Sequence, residues 1–249
     1  MNVTDMGSVY DGFAEKFSKT DRLPSWMYVG KPAMEKLFAP FDIPSAKIVD
    51  LGSASARVEQ GVLLPLGARA ENIVGIEISP EQVEIAHQRI PDATFVVGDV
   101  SDSSVLGEMN GTFDVAFSHM VFEHLNDDQL SRTYANAYRL LKPGGAFVFV
   151  VTHPDKMTDL DGNSVTTYGH FQTTAPWGGV LDNWRRPVSE TLGLLESAGF
   201  TGVTYEELLF PSEPPAGLSQ EDLDEFETAR AKYEHHPAIR LSVSAQKPA

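Results

Sequence analysis

Short apolar runs that close on an acid recur three times in the first hundred positions: Ile48-Val49-Asp50, Val74-Gly75-Ile76-Glu77-Ile78 and Phe95-Val96-Val97-Gly98-Asp99-Val100. Runs this short, bounded by turn residues, read as strands buried on both faces. Positions 113–119 and 146–151 give a fourth and a fifth, and alternating apolar residues over 201–210 and 239–245 a sixth and a seventh. Helical patterns fill the gaps. Ser79 can cap a helix with Pro80 at its first position, and Glu81 and Glu84 suit its N-terminal end. A helix over 127–141 stops at Pro143-Gly144-Gly145, another over 191–198 is closed by Gly199, and Ser219 opens an acidic one. Strand–helix alternation of this kind predicts an α/β fold, a doubly wound and mostly parallel seven-stranded sheet with helices on both faces.

The flanks differ from this rhythm. Residues 1–45 read as helical and aromatic, with Tyr10, Phe13, Phe17, Trp26 and Tyr28, either a lid over a pocket or an aromatic cluster that packs a helix on the sheet. Residues 46–152 carry the alternation, and 153–249 form a second half that opens on an irregular stretch over 153–182. A long irregular stretch inside a compact domain is usually functional or mobile, and this one follows the fifth strand, where it would cover a pocket. No repeat and no second domain is visible, so the expectation is one domain over 1–249.

The turn after the first strand, Leu51-Gly52-Ser53-Ala54-Ser55-Ala56, leads into Arg57-Val58-Glu59, which can open a helix. Such a turn brings backbone N–H groups close to a ligand at a helix N-terminus. A dinucleotide fingerprint would need glycines at 52, 54 and 57; Ala54 and Arg57 stand at two of them.

At these residues the chain resembles the class I S-adenosylmethionine-dependent methyltransferases. Asp50, Gly52, Ala54 and Ala56 fall on the family's first motif, an acid followed by three glycines at alternate positions; two of the three are alanine here. Glu77 matches the acid closing the second strand, which in the family binds the ribose hydroxyls, and Asp99 the acid beside the adenine. The strand over 113–119, the turn at 141–145, His153-Pro154, Arg186-Pro187-Val188-Ser189 and Ala198-Gly199-Phe200 follow in order, so the resemblance runs along nearly the whole chain. It implies a Rossmann-like sheet and S-adenosyl-L-methionine as cofactor, with S-adenosyl-L-homocysteine as product. The implied cofactor set is Asp50, Gly52, Ser53, Ala54, Glu77, Ile78, Gly98, Asp99, Val100, Ser118 and His119, with Tyr10 from the lid.

Methyl transfer from a sulfonium is an in-line displacement, so positioning and water exclusion carry much of it, with a proton removed in some cases. His153 and His124 are the candidate bases and Tyr10 a candidate catalytic hydroxyl. For both histidines the alternative is local, a loop residue bonding the backbone at 153 and a packing or capping residue at 124. Trp26, Tyr28, His153 and Arg186 are candidate acceptor contacts; Arg185 and Arg186 would clamp an acceptor anion or else pair with surface acids. Aromatic faces also attract a sulfonium or ammonium. Adjacent His235 and His236 point apart on extended chain, so no metal site is expected. Two alternatives to methyl transfer remain open: a cofactor-binding enzyme of the same fold with non-methylating chemistry, and a non-catalytic module.

Composition narrows the partners. Among 249 residues, 42% are hydrophobic and 22% charged, and the net charge is −16. An acidic surface repels phosphate backbones, which argues against nucleic acid and suits a cationic or neutral small molecule, or solubility alone. No cysteine is present, excluding disulfides and thiolate metal sites. No signal-peptide pattern stands at the N-terminus, and no apolar run approaches the ~20 residues that span a bilayer, so the expectation is a cytoplasmic protein, monomer or homodimer, acting off the membrane.

Overall fold

The computed structural model describes residues 5–234, 236 and 238–249; His235 lies outside them. The strands are β1 (Ile48–Leu51), β2 (Ile73–Glu77), β3 (Thr94–Val97), β4 (Phe113–His119), β5 (Leu141–Thr152), β6 (Gly169–Thr174), β7 (Val180–Arg185), β8 (Thr201–Leu208) and β9 (Arg240–Gln246). The helices are α1 (Met6–Ser18), α2 (Lys31–Phe38), α3 (Pro80–Arg89), α4 (Asp127–Leu140), α5 (Val188–Ser197) and α6 (Gln220–Tyr233). Seven strands form one sheet in the order β3-β2-β1-β4-β5-β9-β8. β9 runs antiparallel to both of its neighbours, and the other pairings are parallel.

The sheet is covered on both faces, as the continuous apolar strands require. Met34, Phe38, Val62, Leu63, Val83 and Ala86 pack on one side. Leu130, Tyr134, Leu140, Leu195 and Phe200 pack on the other. Local signals set the helix ends. Ser79 accepts from the N–H of Gln82 ahead of Pro80, Ser219 accepts from Asp222, and Asn126 with Gln129 forms a reciprocal cap on α4.

Two expectations change in detail. The stretch over 153–182 holds the β6–β7 hairpin, a separate two-stranded sheet whose turn contains Pro176-Trp177-Gly178-Gly179. Its strands are rich in Thr, His, Asn and Gln, so no apolar alternation announced them. The extended backbone of β5 begins at Leu141 rather than beyond the glycines, because Leu141 pairs with Phe113 before the register shifts. No described helix is long and apolar enough to cross a membrane.

Candidate functional site

A cavity of about 560 Å³ opens at the carboxyl ends of β1, β2 and β4, where crossover connections on opposite faces of the sheet diverge. At one end the floor is Asp50, Gly52, Ser53, Ala54, Glu77, Ile78, Gly98, Asp99 and Val100; His119 and Tyr10 also face it. Eleven of the twelve residues expected around a cofactor therefore line one cavity. The exception is Ser118, which is buried away from it and donates to the Leu51 carbonyl at 2.6 Å, tying β4 to β1. Alternate strand residues point to opposite faces, and His119 takes the cavity side.

The loop after β1 is bent as a glycine loop would be. Gly52 has φ 97°, and a Cβ there would overlap the side chain of Val121. Ala54 and Ala56 are also left-handed, with φ 44° and 61°. The cost of two left-handed alanines is offset by local bonds: the N–H groups of Gly52 and Ser53 donate to the Ile76 carbonyl, and Ala56 closes a turn on Ser53. Glu77 braces the loop from the next strand. Its Oε2 accepts from the N–H of Ala54 at 2.9 Å and its Oε1 from Ser79 at 2.9 Å, which fixes the carboxylate while leaving each oxygen a lone pair. Asp99 is half-buried, with Oδ1 accepting from the N–H of Ser101.

Asp50 is paired with a residue the pattern of acids did not single out. Glu59, fully buried one helical turn beyond the loop, stands close enough for the two carboxyls to act on each other's charge. Burial and the neighbouring carboxyl push Asp50 well up, and burial pushes Glu59 up to about 7, so the pair retains a proton near neutrality. The signal available in the sequence was an acid on an otherwise apolar helical turn beside Val58, Val62 and Leu63. Glu123 was missed as well. It lines the cavity, nearly buried, with Oε1 accepting from Thr152 Oγ1 at 2.9 Å.

Over the floor lies an aromatic roof. α1 is anchored to the cofactor edge by Asp11, whose Oδ1 accepts from Ser79 Oγ at 2.5 Å. Tyr10, Phe13 and Phe17 from α1 close on Trp177 at the hairpin tip, with ring centroids 5.3, 5.2 and 5.9 Å away. Trp26 stands edge-on to His119 at 5.0 Å, and burial holds His119 well below the usual imidazole range, hence neutral. His124 is wedged between the two halves. Its Nδ1 lies 3.1 Å from the Asp182 carbonyl, an acceptor only, which places the ring proton there. Nε2 is left as an acceptor facing Tyr10 Oη at 3.4 Å. Burial, with Glu77 and Glu123 nearby, drives the Tyr10 hydroxyl up and keeps it protonated.

Three expected contacts lie elsewhere. His153 is buried outside the cavity, with Nδ1 accepting from the N–H of Asp155 and Nε2 3.6 Å from Glu207, so it caps a turn. Tyr28 packs on Phe226 and Phe210 instead, with centroids 4.9 and 5.9 Å apart. It is two residues from Trp26 on a helical turn, and such residues face opposite sides. Arg186 is buried against α4, paired with Asp127 at 2.7 Å and bonded to the carbonyls of Phe122 and Leu125. Arg185 similarly pairs with Asp155 at 2.9 Å. Neither arginine is available to clamp an acceptor. Among the described residues no cluster of metal-ligating side chains forms.

Residues 49–149 match the model of a methyltransferase domain. A methyltransferase of Synechocystis sp. is 29% identical over 163 residues, 64% of this chain and 69% of that protein. In solved structures, an S-adenosylmethionine-dependent methyltransferase from Mesorhizobium loti superposes with TM-score 0.63 at 21% identity, covering 91% of this chain and 99% of that one. The 1,6-didemethyltoxoflavin N1-methyltransferase of Burkholderia thailandensis, solved with its acceptor and S-adenosylhomocysteine, gives TM-score 0.57 at 19% identity over 100% of this chain and 93% of the other.

Proposed function

We propose that this chain, which belongs to the class I S-adenosylmethionine-dependent methyltransferases, methylates an oxygen, nitrogen or carbon atom of a small molecule held beneath α1 and the β6–β7 hairpin. The observation that carries the reading is the convergence of Asp50, Glu77 and Asp99, from three separate strand ends, on one cavity beside a left-handed loop. When bound there, S-adenosylmethionine supplies a methyl group on a sulfonium sulfur.

The residues present fit that cofactor. Asp50 Oδ1 and His119 Nε2 are buried with no hydrogen-bond partner, two polar atoms that a bound ligand would satisfy. Glu77 and Asp99 offer carboxylate oxygens of fixed orientation to hydroxyl and amino groups, and Gly52 and Ala54 present backbone at close range. The alanines at 54 and 56 keep the backbone path that glycines would take, which favours a working site over a degenerate one.

The remaining chemistry belongs to the chain's own side chains. The roof of Tyr10, Phe17 and Trp177 excludes water and offers ring faces to a cation. Tyr10 donates from a protonated hydroxyl. Among the described residues, His124 Nε2 is the one imidazole acceptor lining the cavity with its tautomer fixed from behind, and we assign to it the removal of a proton where the acceptor atom carries one. We read residues 46–152 as the cofactor half and 153–249 as the acceptor half of a single unit.

Isothermal titration with S-adenosylhomocysteine tests the reading. Asp99→Ala and Glu77→Ala are each expected to weaken binding about tenfold or more, the loss of one or two charge-assisted hydrogen bonds. Unchanged affinity in both, with the fold retained by circular dichroism, would remove the cofactor assignment.

A further inference from the structure

The cavity does not end where the acids do. Its far end is lined by Lys156, Lys232, Tyr233 and Arg240, together with Met157 and Trp184. These cations come from three separate places: the turn after β5, the last turn of α6, and the start of β9. Lys156 and Lys232 sit on one ring, with Nζ 5.5 and 5.8 Å from the Tyr233 centroid. Arg240 opens β9 opposite Thr152, half-buried, and its guanidinium donates to the adjacent Ile239 carbonyl.

The chain has 35 acids against 19 lysines and arginines, so three cations meeting at one cavity wall with no acid beside them stand out by their grouping. Arg57, Arg89, Arg185, Arg186 and Arg230 each have one within 4 Å. Among the described residues, no carboxylate comes within 4 Å of Lys156, Lys232 or Arg240. Lys156 and Lys232 share the Tyr233 ring and all three line the cavity, and burial with the charges of Lys232 and Arg240 holds Lys156 below its usual range. The acid that acts on Arg240 is Glu123, whose Oε1 accepts from Thr152 and whose Oε2 is buried without a partner among the described residues, more than 4 Å from the guanidinium. Lys156 and Arg240 are half-buried and Lys232 is exposed; like charges gathered at one cavity wall repel, at a cost that a counter-charge would relieve.

We infer that Lys156, Lys232 and Arg240 form a subsite for an anionic group, a carboxylate or a phosphate, on the methyl acceptor. This rests on reading the cavity as a methyl-transfer site and specifies its substrate class, against the expectation from net charge of a cationic or neutral molecule. The subsite lies at the opposite end of the cavity from Asp50, Glu77 and Asp99. The anion thus sets which end of the acceptor points at the cofactor, and Trp184, Tyr233 and Met157 beside the cations favour an aromatic body attached to it.

The test uses the full chain and its own fluorescence, since Trp177 and Trp184 both line the cavity. Benzoate, phenyl phosphate and uncharged benzyl alcohol are titrated separately, with and without saturating S-adenosylhomocysteine. The expected result is that one or both anions bind about tenfold or more tightly than the alcohol, with a preference that shrinks as salt rises. Preference for phenyl phosphate marks a phosphate acceptor and for benzoate a carboxylate. Lys156→Ala/Lys232→Ala is expected to abolish the preference, leaving alcohol and S-adenosylhomocysteine binding unchanged, while Lys156→Arg/Lys232→Arg retains it. Equal binding of anions and alcohol, or a preference that survives the double alanine variant, overturns the inference. Because the anion titrations are also run without S-adenosylhomocysteine, a chain that fails to bind that molecule refutes the cofactor reading while the anion result is still read.

Discussion

Replacing the two loop alanines by glycine separates backbone strain from side-chain burial within a single turn. Ala54 and Ala56 both have positive φ, a conformation that costs an L-residue about 1–2 kcal/mol. Glycine removes that cost but gives the unfolded chain extra freedom worth about 0.4–1 kcal/mol. The balance at either position is a gain of about 0.5–1 kcal/mol. Burial then distinguishes them. Ala54 is partly exposed at the cavity wall, whereas Ala56 is fully buried in the core under the sheet. Deleting the Ala56 methyl forfeits about 0.8 kcal/mol of apolar burial, plus the void it leaves. Ala54→Gly is therefore expected to raise Tm by about 1–4 °C, and Ala56→Gly to leave it unchanged or lower it. The N–H of residue 54 that Glu77 accepts is retained in the glycine variant, so S-adenosylhomocysteine affinity is expected to hold or improve. Thermal and urea unfolding followed by circular dichroism give the difference directly. A fall in stability for Ala54→Gly, or a larger gain for Ala56→Gly than for Ala54→Gly, would refute the reasoning.

Two further outcomes follow from the same loop. Gly52→Ala places a methyl on Val121 at φ 97°, and is expected to reduce S-adenosylhomocysteine affinity at least tenfold in titration calorimetry while costing about 1–3 kcal/mol of stability. Glu59→Gln concerns pH. The native carboxyl is raised to about 7, so its favourable protonated form is present at low pH and lost as pH rises through that value. Glutamine keeps a donor for Asp50 without titrating, so the urea midpoint of the variant is expected to gain on the wild type between pH 4.5 and about 7. A constant difference across that range would contradict the shared proton.

The cofactor end was legible because its information is local. Each acid closes a strand and each strand is a short apolar run, so Asp50, Glu77 and Asp99 announce both the fold and one another's direction. Side-chain facing was less legible. Ser118 and His119 are neighbours with opposite orientations, Trp26 and Tyr28 diverge on one turn, and His153 spends its ring on capping Asp155. Arg186 has the chemistry of an anion clamp, but Asp127 and two carbonyls had already claimed it. The hairpin over 169–185 was missed because its strands lack an apolar face. The cations at 156, 232 and 240 could not be grouped from sequence at all, since only the sheet order brings them together, and net charge pointed the other way.

That sheet order also sets how local each pairing in the sheet is. β1, β2 and β3, which deliver the three acids, pair at local separations (Ile48 with Ile73, Val74 with Thr94), whereas β5 meets β9 across a far longer stretch of chain (Thr152 with Arg240). β8 has no partner until β9, which follows it in the chain, slides between it and β5. Until then β5 and β8 each present a bare edge, the geometry that invites pairing with another copy. The acid end of the cavity rests on local pairings, and the cation end on a long-range clasp in which Arg240 is the first residue of the inserted strand.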